Sequence, residues 1–407
     1  MNKELAFRCR KCRAQIPLGP HYHGCPRCAG TLLLEVPPEL VRERYEKYMG
    51  ASRAVSGYVV DIAVPGLRQA ACLGEGDTPL RPAEAMARDF GLGALWIKNE
   101  AVNPTGSYKD RLNAVAISAA VEFGFRSVAT SSTGNQAVSL AAYAAVAGVH
   151  ADVFLPTNAP RRAAAEAERM GAHAWVTGWD RRAGALRALV DEHGYGYVGR
   201  NCPRPLANPY GMEGYKSIAY EIVRDLGGES PYAVLMPSCG GDGIYGVWRG
   251  FREVYDAGII RALPRMVGCH LVAAPSVTAA WRAGSDQVLP VEVTESIGLS
   301  LVDERGGDHA LWALHESGGS AVAVTDAELV GAMANYGRLG VFAEPAGAAG
   351  LAGIAGFVAN EPDSAGKVVV AVMTGGGSRW PAALADMPDG RDADDPVRAV
   401  LAAHMLS

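Results

Sequence analysis

The sequence predicts an α/β protein with a short metal-binding module at its N-terminus. Two observations predict it. From about Leu73 onward, short continuous apolar runs alternate with segments of helical periodicity. That is the pattern of parallel strands covered on both faces and joined by right-handed crossovers. Ahead of them, two Cys-x2-Cys pairs (Cys9 with Cys12, Cys25 with Cys28) stand in a basic stretch too short to bury a core of its own.

The N-terminal module is assigned to residues 1–36. Each Cys-x2-Cys turn places two thiolates on one ion, and two such turns complete a tetrahedral structural zinc site. Four reduced, metal-free thiols are the alternative. His21 and His23, between the pairs, are expected in a loop, because four sulfurs already fill the site. A linking stretch from Leu32 to Arg53 mixes apolar and charged residues. Strands are then expected at Ala94–Asn99, Ser127–Ser132, Ala151–Pro156, His173–Thr177, Tyr232–Pro237 and Lys367–Met373. Helices are expected at Lys109–Phe123, Asn135–Ala147, Pro160–Met170, Arg181–His193, Met212–Leu226 and Gly243–Tyr255. The stretch after Pro381 is acidic and ends in a short helix, with residues 396–407 forming a tail.

The 407 residues suffice for more than one domain. A net charge of -5 gives no general attraction to nucleic acid or an anionic membrane. No apolar run is long enough to span a bilayer, and the opening MNKELAFRCRKCR lacks the apolar core of a signal peptide. A cytoplasmic location is expected, with Cys72, Cys202, Cys239 and Cys269 as isolated reduced thiols.

Four further motifs sit at strand ends. Asn103-Pro-Thr-Gly-Ser-Tyr-Lys-Asp-Arg111 is a turn that opens a helix, with Lys109 in its first turn. Helix-end dipoles and burial would make that amine easier to neutralise, although a solvated lysine fits a helix start as well. Ser131-Ser-Thr-Gly-Asn135 can hold a carboxylate at a helix N-terminus or serve as a capping turn. Ser238-Cys-Gly-Gly-Asp-Gly243 lets backbone approach a phosphate, or is a glycine-rich turn. Met373-Thr-Gly-Gly-Gly377 places the Thr374 hydroxyl at the carboxyl edge of a sheet, where α/β proteins bind ligands.

In order and spacing these motifs resemble the threonine synthase group of fold-type II pyridoxal-phosphate (PLP) enzymes. The likeness also takes in the cysteine module, Leu73–Leu80 (LGEGDTPL), Asn208–Ile222 and Glu344–Gly350 (EPAGAAG). It implies a tryptophan synthase β-like fold of two three-layer α/β domains. Residues 37–111 and 209–395 would form the large PLP domain, and 112–208 a small mobile domain. It implies that Lys109 forms the Schiff base to PLP and moves protons. Asn135 would bond the ring oxygen, Cys239, Gly240, Gly241, Asp242 and Gly243 the phosphate, and Thr374 the ring nitrogen. Ser132 and Thr133 would hold the substrate carboxylate. A homodimer acting on a small amino acid is expected.

Several positions depart from the family pattern, among them Ser56–Gly66 (SGYVVDIAVPG), which occupies the place of a tryptophan–arginine–tyrosine stretch. Gly211 stands where an arginine helps hold a substrate phosphate, Pro205-Leu206 replace a polar pair, and Tyr215 replaces a glutamine. Loss of the guanidinium removes a bidentate phosphate contact; Arg200 or Arg204 would have to compensate. The expected activity is a lyase-type elimination or replacement on an L-amino acid in amino-acid metabolism, of which O-phosphohomoserine to threonine is the best-known family example. A threonine or serine dehydratase or ammonia-lyase, or an enzyme making an unusual amino acid, is the alternative. A zinc-ribbon regulatory protein on a degenerate PLP scaffold is the non-enzyme alternative.

Overall fold

The computed structural model of the chain describes residues 5–50, 57–199 and 208–379. Arg200, Cys202, Arg204, Pro205, Leu206 and the tail at 396–407 lie outside the described residues.

β1 (Ala6–Cys9), β2 (Gln15–Pro17) and β3 (Leu32–Glu35) form an antiparallel ribbon in the order β2-β1-β3. β3 occupies the start of the stretch expected as a link, and a helix over Pro38–Met49 follows it. Proline in the first turn suits that helix, and its buried Val41 and Tyr48 lie seven residues apart, on one face. The charged residues between them hid that face in the sequence.

β4 (Leu80–Pro82) and β5 (Ala94–Asn99) then enter the main sheet. The chain leaves it to build a second sheet from β6 (Ser127–Ser131), β7 (His150–Leu155), β8 (His173–Val176) and β9 (Gly196–Tyr197). It returns through β10 (Ala233–Pro237), β11 (Arg265–Leu271), β12 (Ser320–Val324) and β13 (Val368–Met373). The main sheet runs β12-β11-β10-β13-β5-β4 and is parallel except for β4; the second runs β8-β7-β6-β9 and is parallel throughout. β13, all apolar, is central, with five of its six residues buried.

Two differences from the sequence expectation have physical causes. The helix expected over Met212–Leu226 is a 3-10 turn at Gly211–Tyr215 followed by an α-helix at Lys216–Asp225. The tighter turn brings Gly214 against the carbonyl of Arg111, where a Cβ would lie 2.1 Å from that oxygen. β11 was not expected, because Gly268 and His270 interrupt its apolar run; a Cβ at Gly268 would stand 2.7 Å from the His270 ring.

Under the first turn of the Lys109–Glu122 helix lies a fully buried charge network. Arg111 Nε and Nη2 donate to Glu100 at 2.7 and 2.9 Å, and Nη1 and Nη2 donate to Glu221 at 2.5 and 2.9 Å. Lys98 Nζ donates to Glu221 at 2.6 Å. Burial works against charge on Glu221, but Arg111 and Lys98 outweigh it and hold its carboxyl far below the usual range. The same carboxylate accepts from the amides of Asp77 and Thr78, both at 3.2 Å, which fixes the LGEGDTPL segment. Replacing Arg111 by methionine leaves the buried Glu100 without a cation and Glu221 with Lys98 alone. We expect it to lower the unfolding free energy by about 3–5 kcal/mol in urea titrations. Arg162→Ala, which breaks the exposed Arg162–Glu166 pair, should cost less than about 1 kcal/mol.

Candidate active site

Lys109 begins the helix Lys109–Glu122, and both sides of its turn are tied down. On one side Asp110 accepts from Thr105 N (2.7 Å), Thr105 Oγ1 (2.5 Å) and Ser139 Oγ (2.6 Å). On the other, Tyr108 N donates to Thr374 O at 2.9 Å and Gly376 N to Gly106 O at 3.0 Å. The lysine turn and the Thr374 turn are thus joined by backbone bonds, although 265 positions separate Lys109 and Thr374.

Lys109 Nζ donates to the Tyr215 hydroxyl at 3.2 Å. It lies 4.7 Å from the centre of the Tyr108 ring, which stacks on Tyr215 at 4.8 Å. Burial works to lower the proton affinity of this amine, but Tyr108 and Asp242, with Cys239, outweigh it, so the pKa is raised. The sequence led us to expect the opposite, because it showed the helix end but not the acidic groups across the cavity.

A cavity of about 160 Å³ brings the proposed site residues together. Lys109, Ser132, Thr133, Asn135, Thr374 and the loop Cys239–Gly243 all line it. The loop opens the helix Asp242–Asp256, whose N-terminal end favours an anion. Gly241 is left-handed, at φ +88°, and a Cβ there would lie 2.4 Å from Ala310 N. A Cβ at Gly243 would meet the Tyr108 ring at 2.9 Å. Beside them the buried Ser238 Oγ has no hydrogen-bond partner among the described residues. Ser132 Oγ accepts from Gly134 N (2.9 Å) and Ala137 N (3.1 Å). It therefore serves as a capping acceptor for the Asn135–Ala147 helix, and the same residue lines the cavity.

Among the lining residues not expected at the site are Glu344, present in the sequence pattern only as part of EPAGAAG, and Arg182. Glu344 accepts from Asn135 Nδ2 at 2.8 Å, and its carboxylate lies where a Cβ on Gly375 would stand, 2.3 Å from Oε1. Arg182 is 3% exposed and donates through Nη1 to Ser131 Oγ at 2.9 Å. Burial lowers its pKa to about 10 against the opposing pull of Asp303. Nothing marked Arg182 in the sequence among its arginine neighbours. Gly211 does not offer a hidden arginine site: a Cβ there would lie 2.9 Å from Leu112 Cγ.

At the N-terminus, Cys9, Cys12, Cys25 and Cys28 converge, with all four sulfurs within 4.8 Å of one another. The two knuckles repeat the same bonds. Arg13 N donates to Cys9 O and Ala29 N to Cys25 O, while Cys9 N donates to Ala14 O and Cys25 N to Gly30 O. Arg13 and Ala29, each one residue past its pair, are both left-handed. The ribbon docks by Phe7, fully buried against the Tyr210 ring at 5.1 Å, and by Gly19, whose N–H and C=O both bond the Tyr210 hydroxyl.

Residues 71–375 match the family described as pyridoxal-phosphate dependent enzymes. The chain belongs to that family. It is 30% identical to a threonine synthase of Methanosarcina acetivorans over 91% of both chains. It is 31% identical to one of Methanocaldococcus jannaschii over 96% of both. Solved structures agree on the fold. Maize serine racemase superposes with a TM-score of 0.67 at 19% identity, covering 91% of this chain and 99% of that one. A threonine deaminase of Solanum lycopersicum gives 0.66 at 21%, covering 87% and 95%.

The residues present fit the family's cofactor. The glycine cradle has no room for added side chains, and an unpartnered hydroxyl, Ser238 Oγ, lies within it. This electrostatic arrangement makes a signed prediction. Asp242→Asn removes a neighbouring negative charge, so it should lower the pKa of Lys109. The pH dependence of Lys109 labelling by an amine-directed reagent, read by mass spectrometry, would then shift to lower pH. An unchanged profile would mean that Asp242 does not act on this amine.

Proposed function

We propose that this chain catalyses PLP-dependent elimination or replacement on an L-amino acid whose side chain carries an anionic group. The observation that supports it is the convergence of Lys109, Asn135, the Cys239–Gly243 cradle and Thr374 on one cavity. Lys109 would hold the cofactor through Nζ, Asn135 its ring oxygen, and the cradle with Ser238 its phosphate. When bound, PLP supplies an electron sink for negative charge at the substrate's Cα.

The chain's own groups do the rest. Lys109 Nζ removes the Cα proton and, with its raised proton affinity, is suited to return one to substrate. The Tyr215 hydroxyl accepts a hydrogen bond from that amine and holds it in place. Thr374 presents a neutral hydroxyl, which favours elimination and replacement over transamination because a neutral partner leaves the ring nitrogen unprotonated. Ser132 and Thr133 take the substrate carboxylate at a helix N-terminus. Arg182 supplies the guanidinium that position 211 has no space to carry. The segment 112–208, which contains the second sheet, would move as a small domain over the substrate. That motion would carry Arg182 toward or away from the cradle.

Arg182 favours substrates such as O-phosphohomoserine over the neutral substrates of a threonine or serine dehydratase. The test is a screen of O-phospho, O-acyl and unmodified amino acids, read by changes in the cofactor's absorption and by product. Arg182→Gln should lower kcat/KM for an O-phospho substrate by about 10- to 100-fold, the worth of a hydrogen bond to a charged group. Turnover of neutral substrates alone, with Arg182→Gln unaffected, would contradict the proposal. Protein that takes up no PLP would favour a regulatory scaffold instead.

The four-sulfur cluster is proposed to hold a structural zinc ion. Tetrahedral bonds of about 2.3 Å place sulfurs about 3.8 Å apart, and Cys9–Cys28 and Cys12–Cys25 stand at 3.4 and 3.7 Å. We expect one zinc per chain at this cluster. Cys12→Ser should release it and expose Tyr210 to faster proteolysis or hydrogen exchange nearby. Unchanged metal content in Cys12→Ser would contradict the assignment.

A further inference from the structure

β7 and β8 begin side by side, and their first residues carry a cluster that the catalytic cavity does not use. His150 and Asp152 lie on β7, and the register pairs Asp152 with His173 on β8. This is the amino edge of the second sheet. Ser131 and Ser132, which line the cavity, lie at the carboxyl end of the parallel neighbour β6.

His150 Nε2 stands 2.9 Å from Asp152 Oδ2, and His173 Nδ1 3.7 Å from Asp152 Oδ1. One ligand atom from each of the three residues lies within 4.8 Å of the others. The two imidazole rings meet edge to face at 4.7 Å.

Asp152 is only 5% exposed, and a carboxylate so buried needs a cation or a full set of donors. Among the described residues no lysine or arginine pairs with it. Its partners are the two histidines, the Trp175 indole N–H at 2.7 Å and the Tyr195 hydroxyl.

We propose that His150, Asp152 and His173 bind a divalent transition-metal ion of the zinc type, with the remaining coordination positions open to water. Bonds of about 2.0–2.2 Å in a tetrahedral shell put ligand atoms about 3.3–3.5 Å apart. One ligand atom from each residue already lies within 4.8 Å of the other two, so a small contraction reaches that spacing, and the exposed ring of His173 has freedom to adjust. Trp175 and Tyr195 orient the carboxylate, as outer hydrogen bonds do at metal sites. Two imidazoles with one carboxylate suit a borderline ion; magnesium and calcium prefer oxygen ligands. A bound ion would clamp β7 to β8 on the face away from catalysis, with no part in the proposed reaction.

The test compares zinc binding by the full-length holoenzyme, with zinc already supplied to the ribbon, and by its His173→Ala variant. His173 has an exposed side chain, so the variant should fold; His150→Gln provides a second variant. Calorimetric titration with zinc chloride should show one more site per chain in the parent than in either variant, or a site weakened by about 100-fold or more through loss of a ligand. His193→Ala, which removes an exposed histidine outside the cluster, should retain the site, and magnesium chloride should give no matching heat. Equal zinc binding by parent and His173→Ala would overturn the proposal, as would equal loss in His193→Ala.

Discussion

Arg111 has no solvent exposure and lies two positions beyond Lys109. Its guanidinium joins Glu100, at the end of β5, to Glu221, in the helix Lys216–Asp225. Lys98 on β5 adds a second cation to Glu221, whose carboxylate also collects the amides of Asp77 and Thr78. Four chain segments distant in sequence are therefore fixed around one charge cluster. A buried network of this kind gives little net stability, but it tolerates few alternative arrangements. Its location beneath the first turn of the Lys109 helix sets where the Lys109 amine can stand.

The ribbon is tied to the same region from outside. Phe7 and Gly19 hold Tyr210, and Gly211 packs on Leu112 and Ala116 of the Lys109 helix. Collapse of the four-cysteine cluster would loosen Tyr210 first, and the lysine helix through it. The four-cysteine ribbon is in this way coupled to the geometry of the Lys109 turn. The same packing explains why position 211 is glycine, and why a guanidinium near the cavity comes from Arg182 on another helix.

Much of this was legible in the sequence. The Ala94–Asn99 strand, with its apolar run over Ala94–Ile97, and the alanine-rich Asn135–Ala147 helix kept their expected bounds. Cysteine spacing announced the converging sulfurs. Between β10 and β13 the sequence was less informative. β11 contains a glycine and a histidine, β12 has small residues, and two helices there, Ser276–Arg282 and Pro345–Ala352, are short. At the site, motifs at strand ends named the residues that line the cavity, because short linear patterns encode backbone turns. Arg182 and Glu344 were not legible: their importance comes from where the fold carries them. The acidic surroundings of Lys109 were hidden for the same reason, since Asp242 approaches it from a distant loop.

The central claim is that Lys109 is the amine that carries the cofactor. Purified protein incubated with PLP, reduced with borohydride, digested and mapped by mass spectrometry tests it most directly. The account predicts a single pyridoxyl label on the peptide containing Lys109, with none in Lys109→Ala. A label on another lysine, or undiminished labelling of Lys109→Ala, would contradict it.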